Sequence, residues 1–217
     1  GTFDAQGQRL AESPVHVAGL GEALRPALSA LADGGFTVAW EQAHTDPARG
    51  WDVWTQRFAA DGYGAAGPLP ATDAPTGVQA LAGLVALPDG RLLITWSDGS
   101  AEPLPPATPE APATASFGIL ARVVDANGQT VVPDFVVNTT TTGQQAYQAA
   151  TALAGVGFVV VWVDGSGTGG DLSGTALRGQ VFDLDGARLG GEFLVNASTL
   201  RDQLRPSVAD LGDGRFV

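Results

Sequence analysis

The sequence predicts an all-β protein built from four-stranded repeats, and three observations carry that reading. A turn leading into an apolar strand that ends in tryptophan occurs three times, closing at Trp40, Trp96 and Trp162, 56 and 66 residues apart. A hairpin turn ending in glycine occurs four times, at Gly7, Gly62, Gly128 and Gly186, in steps of 55, 66 and 58. The motif Asp134-Phe135-Val136-Val137-Asn138 returns as Glu192-Phe193-Leu194-Val195-Asn196, and each Asn falls ten positions after its turn glycine. Anchors that keep one spacing are the mark of a repeat architecture.

Each unit reads as four short strands. In the first, residues 27–32 alternate weakly, and an Asp33-Gly34 turn leads to Phe36-Thr37-Val38-Ala39-Trp40. A polar loop, a strand from Val53 to Phe58, the Gly62 turn and a strand near Leu69 complete it. Short runs rich in Val, Phe, Thr and Trp, punctuated by Gly and Asp, are strand signals. The Ala-rich stretch 146–154 competes as helix, but its place in the repeat makes it a strand. The units fall at 20–77, 78–143 and 144–202, with partial repeats at 1–19 and 203–217. A Pro/Ala-rich insertion at 103–113 lengthens the second and reads as a surface loop. Those partial ends read as a piece of a longer array. Four strands every 40–60 residues point to β-propeller-like blades, since a four-stranded sheet buries its faces only against neighbours. Tandem β-sandwiches are the alternative, but these need about seven strands and roughly 100 residues each.

Composition narrows the function classes. The 217 residues are 44% hydrophobic and 16% charged, which excludes a disordered acidic tail. Gly 30 and Pro 14 suit many strands joined by turns. All eleven basic residues are Arg, and the net charge of −12 argues against a nucleic-acid partner, whose phosphates need a basic footprint. Absence of Cys removes disulfides, thiolate metal sites and cysteine nucleophiles. No apolar run reaches the roughly 18 residues of a membrane span, so no membrane insertion is expected.

Three segments of the sequence together carry a resemblance. They are Asp-Gly-Gly-Phe-x-Val-x-Trp at 33–40, Gln-x-Phe-Asp-x-Asp-Gly at 180–186 and Gly-x-Glu-Phe-x-Val-Asn at 190–196. Together they resemble tandem repeats of very large secreted bacterial proteins of the RTX, hemolysin-type calcium-binding or adhesin kind. The resemblance implies a propeller-like fold and an extracellular or cell-surface location. It also implies partners among other repeats of the same polypeptide or other surface proteins. The Asp/Gly-rich loop such repeats carry after the Trp survives only at 164–171.

That loop is the candidate calcium site, with Asp164 and Asp171 as ligands, because hard oxygen donors on a Gly-permitted tight loop suit the ion. The Asp-Gly and Asn-Gly turns at 183–186 and 125–128 read instead as two-residue hairpins of type I′. Trp40, Trp96 and Trp162 read as packing between blades. Trp51 and Trp54 belong to one unit only and flank Asp52. As exposed loop aromatics able to stack on sugar faces, these three residues are the glycan-binding candidates. His16 and His44 occupy non-equivalent positions, and no nucleophile elbow, Walker loop or His-Glu-x-x-His sequence is present. Repetition without a repeated reactive residue leads to the expectation of a non-enzymatic module serving adhesion, assembly or spacing. A glycan-binding propeller, or a propeller glycosidase or lyase, is the alternative.

Overall fold

The computed structural model describes residues 1–46, 50–72, 78–99 and 118–217, so the insertion at 103–113 lies outside the described residues. Among those described, the regular structure is all strand. Three antiparallel sheets each hold four strands in chain order. The first comprises β3 (Ala23–Ala30), β4 (Phe36–Ala43), β5 (Trp51–Phe58) and β6 (Leu69–Pro70). The second comprises β7 (Gln79–Ala86), β8 (Leu92–Asp98), β9 (Gly118–Val124) and β10 (Thr130–Val136). The third comprises β11 (Gln145–Leu153), β12 (Gly157–Asp164), β13 (Ala176–Phe182) and β14 (Arg188–Leu194). Two-stranded sheets flank them, β1 (Thr2–Phe3) with β2 (Arg9–Ala11) and β15 (Asp210–Gly212) with β16 (Arg215–Phe216).

These sheets are propeller-like blades, because each packs face to face on the next rather than pairing off into a sandwich. Leu93, Ile119, Val123 and Val137 of the second blade meet Phe158, Val160, Trp162 and Phe182 of the third. Phe158 and Phe182 stack at 5.2 Å between ring centroids, and Phe135 crosses over from the second blade to lean on both. Val53 and Ala71 meet Leu92, Ile94 and Trp96 at the preceding junction. Second strands are therefore covered on both faces, and every residue of β12 is buried. That is why they read as unbroken apolar runs where a half-exposed strand would alternate. The first strands lie side by side, β3 against β7, β7 against β11 and β11 against β15, and line the axis.

The repeat anchors have distinct physical duties. Each buried tryptophan needs an acceptor for its indole N–H. Trp162 donates to Gln145 Oε1 at 2.9 Å, across the sheet on the first strand. In the first blade the matching position is Ala23, and Trp40 donates instead to Gln42 Oε1 at 3.0 Å, on its own strand. Asn138 and Asn196 accept the N–H groups that open the third strands, from Ile119 and Leu177, both at 2.8 Å. The acids four residues before them reach back to the preceding blade. Asp134 accepts from Thr72 at 2.6 Å, and Glu192 accepts from Thr139 and Thr140 at 2.7–3.1 Å.

The hairpin turns differ from the expected two-residue type. At 183–187, Gly186 N–H bonds to the Asp183 carbonyl, Asp183 N–H bonds to Ala187, and only the glycine has positive φ. This is a three-residue loop closed by a left-handed glycine, a geometry in which the second central residue need not be left-handed. Asp183 Oδ1 accepts the N–H groups of Asp185 and Ala187, and Asp125 and Asp4 do the same in their copies. The recurring aspartate is thereby engaged in holding its own turn.

Candidate functional site

The first strand of each four-stranded sheet is broken by a β-bulge at the same place. Its register slips between Leu24 and Ala27, between Ala80 and Gly83, and between Ala146 and Ala149. Two residues there oppose one on the second strand, and that one is Trp40, Trp96 or Trp162. The first bulge residue is left-handed in each blade: Arg25 at φ 48°, Leu81 at 58° and Tyr147 at 56°. Arg205, in Gln203-Leu204-Arg205 beside Gln145-Ala146-Tyr147, repeats the conformation at 55°. Side chains other than glycine pay about 1–2 kcal/mol for this geometry. Bulges of this kind re-aim side chains next to functional sites. Here they carry one residue per blade to the axial end at which the first strands begin. Arg25 and Tyr147 are exposed there, and Arg205 is exposed ahead of β15, outside the strands.

A buried carboxylate lies behind them. Glu41, one residue after Trp40, is 1% exposed; its Oε1 accepts the Leu81 N–H at 2.6 Å and its Oε2 accepts from Arg25 at 2.8 Å. Burial pushes the Glu41 pKa up from the ordinary 4.5, against the downward pull of the Leu81 N–H and Arg25. Ser97 follows Trp96 in the same way. Its hydroxyl bonds to Gln148 Oε1 at 2.9 Å, and Gln148 in turn donates to the Leu81 carbonyl. This end thus carries a half-exposed cation, Arg25, against the buried Glu41 carboxyl, and an exposed ring, Tyr147, next in the chain to the Gln148 amide that ties Ser97 to the Leu81 carbonyl.

The calcium expectation meets a different ligand. Asp164 Oδ1 accepts from Gln145 at 2.7 Å and from the Ser166 N–H at 3.0 Å, while Oδ2 accepts from the Ser166 hydroxyl and Arg178. Arg178 also donates to the Thr168 carbonyl at 2.6 Å and pairs with Glu192 at 3.1 Å. A Cβ at Gly169 would collide with the same guanidinium. The Gly-rich loop wraps an arginine. Asp171 is engaged elsewhere, accepting from Ser173 N–H at 3.1 Å and Asn196 at 2.8 Å. A donor set so committed, with a cation already against it, does not fit calcium, which takes six to eight free oxygens. Burial works upward on the Asp164 pKa, but the bonds from Ser166, Arg178 and Gln145 overcome it and hold the group below 3.8.

The glycan candidates are also placed differently. Trp51, Asp52 and Trp54 are not loop residues; they open β5 in register with Ala43, Gln42 and Trp40. Asp52 is buried and paired with His44 at 2.5 Å. Trp54 packs against Val38, Trp40 and Phe58, and Trp51 is half-buried. The ladder of β4 absorbs the segment that the polar sequence around it suggested was a loop. The sequence carries no common mark at these positions, because no one side-chain type is shared by all of Arg25, Leu81, Tyr147 and Arg205. The available signal was the Gln that precedes three of them by two residues.

No family model matches the sequence, and no curated protein matches it. Among solved structures, the chain is similar to an alpha-L-arabinanase from Penicillium chrysogenum complexed with arabinobiose. The TM-score is 0.54 at 14% identity, over 86% of this chain and 48% of that one. The chain therefore spans about half the length of that arabinanase. This likeness overturns the expectation of a non-enzymatic module. That expectation treated repetition without a repeated reactive residue as a sign of no chemistry, yet the same fold is found in an arabinanase.

Proposed function

We propose that these blades belong to a glycan-acting β-propeller of the glycosidase kind, which takes carbohydrate at the axial end. The observation that carries the proposal is the repeated left-handed bulge, which sets Arg25 against Glu41 and leaves Tyr147 exposed on the first strand two blades on. Tyr147 supplies an exposed ring face, and aromatic faces with polar edges suit sugars. Cleavage of a glycosidic bond needs a carboxyl group that stays protonated and a second that is ionised. Glu41 has the raised pKa that suits the proton donor. Asp98, at the end of the matching strand one blade on, carries a second carboxylate, one oxygen of which accepts from the Trp96 indole at 3.4 Å. The likeness to an arabinanase supports the reading at the level of the fold. An extracellular or cell-surface location accompanies it, on the resemblance of the repeats to those of secreted bacterial proteins.

The test is a glycan array followed by hydrolysis assays on the oligosaccharides that bind. Binding weakened by Tyr147→Ala, with turnover lost in Glu41→Gln, is the expected result. Binding that survives Tyr147→Ala unchanged would place the sugar elsewhere, and no binding to any glycan would reject the reading.

A further inference from the structure

We infer that two copies of this chain join head to tail by completing one blade between them, β15–β16 of one copy docking against β1–β2 and the open face of the first blade of the other. The inference starts from four equivalent turns. Leu31, Leu87, Leu153 and Leu211 each stand at the hairpin between a first and a second strand. Leu31 joins the core built on Leu92 and Ile94 of the next blade. Leu87 does the same with Phe158 and Val160, and Leu153 with Phe216. Leu211, by contrast, is 55% exposed, and Val217, which stands where Leu93 does, is 73% exposed. This half-blade presents the contact side of a blade with nothing against it.

The first blade presents the matching receiving side. Phe36, Val38 and Phe58 occupy the places that Phe158, Val160 and Phe182 fill in the third blade, where Leu87 and Leu93 cover them. Over the first blade a cavity of about 270 Å³ remains instead, lined by these three residues with Thr2 and Val15. β1–β2 supply only the third and fourth strands there. Phe3 precedes Gly7 by four residues, as Phe58 precedes Gly62 and Phe182 precedes Gly186. In every complete blade that position faces the residue five places after the turn leucine: Phe58 faces Phe36, Val124 faces Leu92 and Phe182 faces Phe158. The two phenylalanine pairs stack at 5.0 and 5.2 Å. Phe3 is 57% exposed, and the same count assigns it Phe216 as partner, with Val217 facing Thr2.

Within one chain the two halves stand as separate two-stranded sheets. A second copy supplies the missing half and restores the order β15-β16-β1-β2, first strand to fourth, of every complete blade. Each copy brings three whole blades and half of each shared one, so two copies joined reciprocally close a ring of eight. That lies within the usual range of about four to eight blades, and a head-to-tail contact that closes on itself ends the assembly there. Burial of Phe3, Leu211 and Val217 favours the contact. The net charge of −12 on each copy opposes it, so salt should strengthen the association.

Sedimentation velocity of the 217-residue chain across a concentration series is expected to show a dimer that dissociates on dilution and tightens with added salt. Leu211→Asp combined with Val217→Asp alters only side chains exposed in the single chain. The urea midpoint of the dilute variant should therefore hold, while dimerisation weakens by about tenfold or more through the burial of unpaired charge. The chain has no cysteine of its own, so engineered pairs report without competition. Mixing Thr2→Cys protein with Val217→Cys protein under oxidation is expected to link two copies, because facing residues of antiparallel strands lie within reach of a disulfide. A monomer at every concentration and salt would overturn the inference, and so would a dimer that the double aspartate variant leaves intact. In a chain carrying both cysteines, a disulfide formed inside one copy would overturn it as well, by showing that the half-blades meet within a single chain.

Discussion

Glu41 holds Leu81 across a blade boundary: a carboxylate on the second strand of one blade accepts the N–H of the bulge in the next at 2.6 Å. The same carboxylate pairs with Arg25 in its own blade, so two bulges hang from one side chain. Removing it as Glu41→Ala leaves the Leu81 N–H and the Arg25 guanidinium without their partner. A loss of about 1–3 kcal/mol is expected from urea unfolding, the cost of leaving the Leu81 N–H without its acceptor, since the half-exposed Arg25 regains water. Glu41→Gln keeps an acceptor for Leu81 and is expected to cost clearly less.

The pH dependence of Glu41 has a definite sign. Its pKa is higher in the folded chain than the ordinary 4.5, so the native state binds more protons across the interval between the two values. Stability contributed here falls as pH rises through that interval, and the cost is fully present above it. Asp164 and Glu192 run the other way. In Glu192 burial pushes upward, but bonds from Thr139 and Thr140 prevail, and both acids titrate below their ordinary values of 4.5 and 3.8 for Glu192 and Asp164. Their contribution is present above those values and lost as pH falls through the lowered ones. Urea midpoints from pH 3 to 8 check this. Glu41→Gln should remove the decline on the rising side, and Asp164→Asn should soften the acid limb.

Calcium and magnesium at equal concentration should raise the melting temperature equally, through screening of the net charge alone. The loop at 164–171 is held by Arg178, so Arg178→Gln is expected to destabilise the chain by about 3 kcal/mol in the absence of any metal, because it strands buried Asp164. A calcium shift exceeding the magnesium shift and abolished by Asp164→Asn with Asp171→Asn would contradict this account.

Tyr147→Gly separates strain from packing. The ring is exposed and the backbone left-handed, so glycine relieves the steric conflict while removing little buried surface. A gain of up to about 1 kcal/mol is expected, together with weaker glycan binding. A variant that is both less stable and unchanged in binding would show that Tyr147 is kept for packing.

Gln145→Leu should cost about 1–3 kcal/mol, the penalty of leaving the Trp162 indole N–H buried without an acceptor. The matching Ala23 in the first blade should tolerate leucine far better, because Trp40 relies on Gln42. Paired urea titrations of the two variants measure the difference.

The blades were legible in the sequence because their physics is periodic. A second strand covered on both sides demands an apolar run such as Phe158 to Trp162, and a hairpin demands a glycine such as Gly186 where φ is positive. The axial site was not legible for the opposite reason. A bulge is a property of register, and Arg25, Leu81 and Tyr147 enter it without a common side chain. Glycine also misled at 164–171. Gly169 is there because a guanidinium comes close, and the arginine that supplies it, Arg178, lies on the following strand. Trp51 and Trp54 misled through their polar surroundings, since Asp52 looks solvent-facing in sequence yet is hydrogen-bonded to His44 inside the fold.

The exchange of indole acceptors has a consequence for how such a chain can change by duplication. Ala23 stands opposite Gln42 where Gln145 stands opposite Asp164, so the amide has moved from one strand of the pair to the other. Grafting β3 in place of β11 would bring Ala23 against Asp164 and deprive Trp162 of its amide acceptor. The reverse graft would crowd two glutamines around Trp40. The first and second strands of each blade are therefore matched to one another, and exchanging blades is permitted only when both strands travel together.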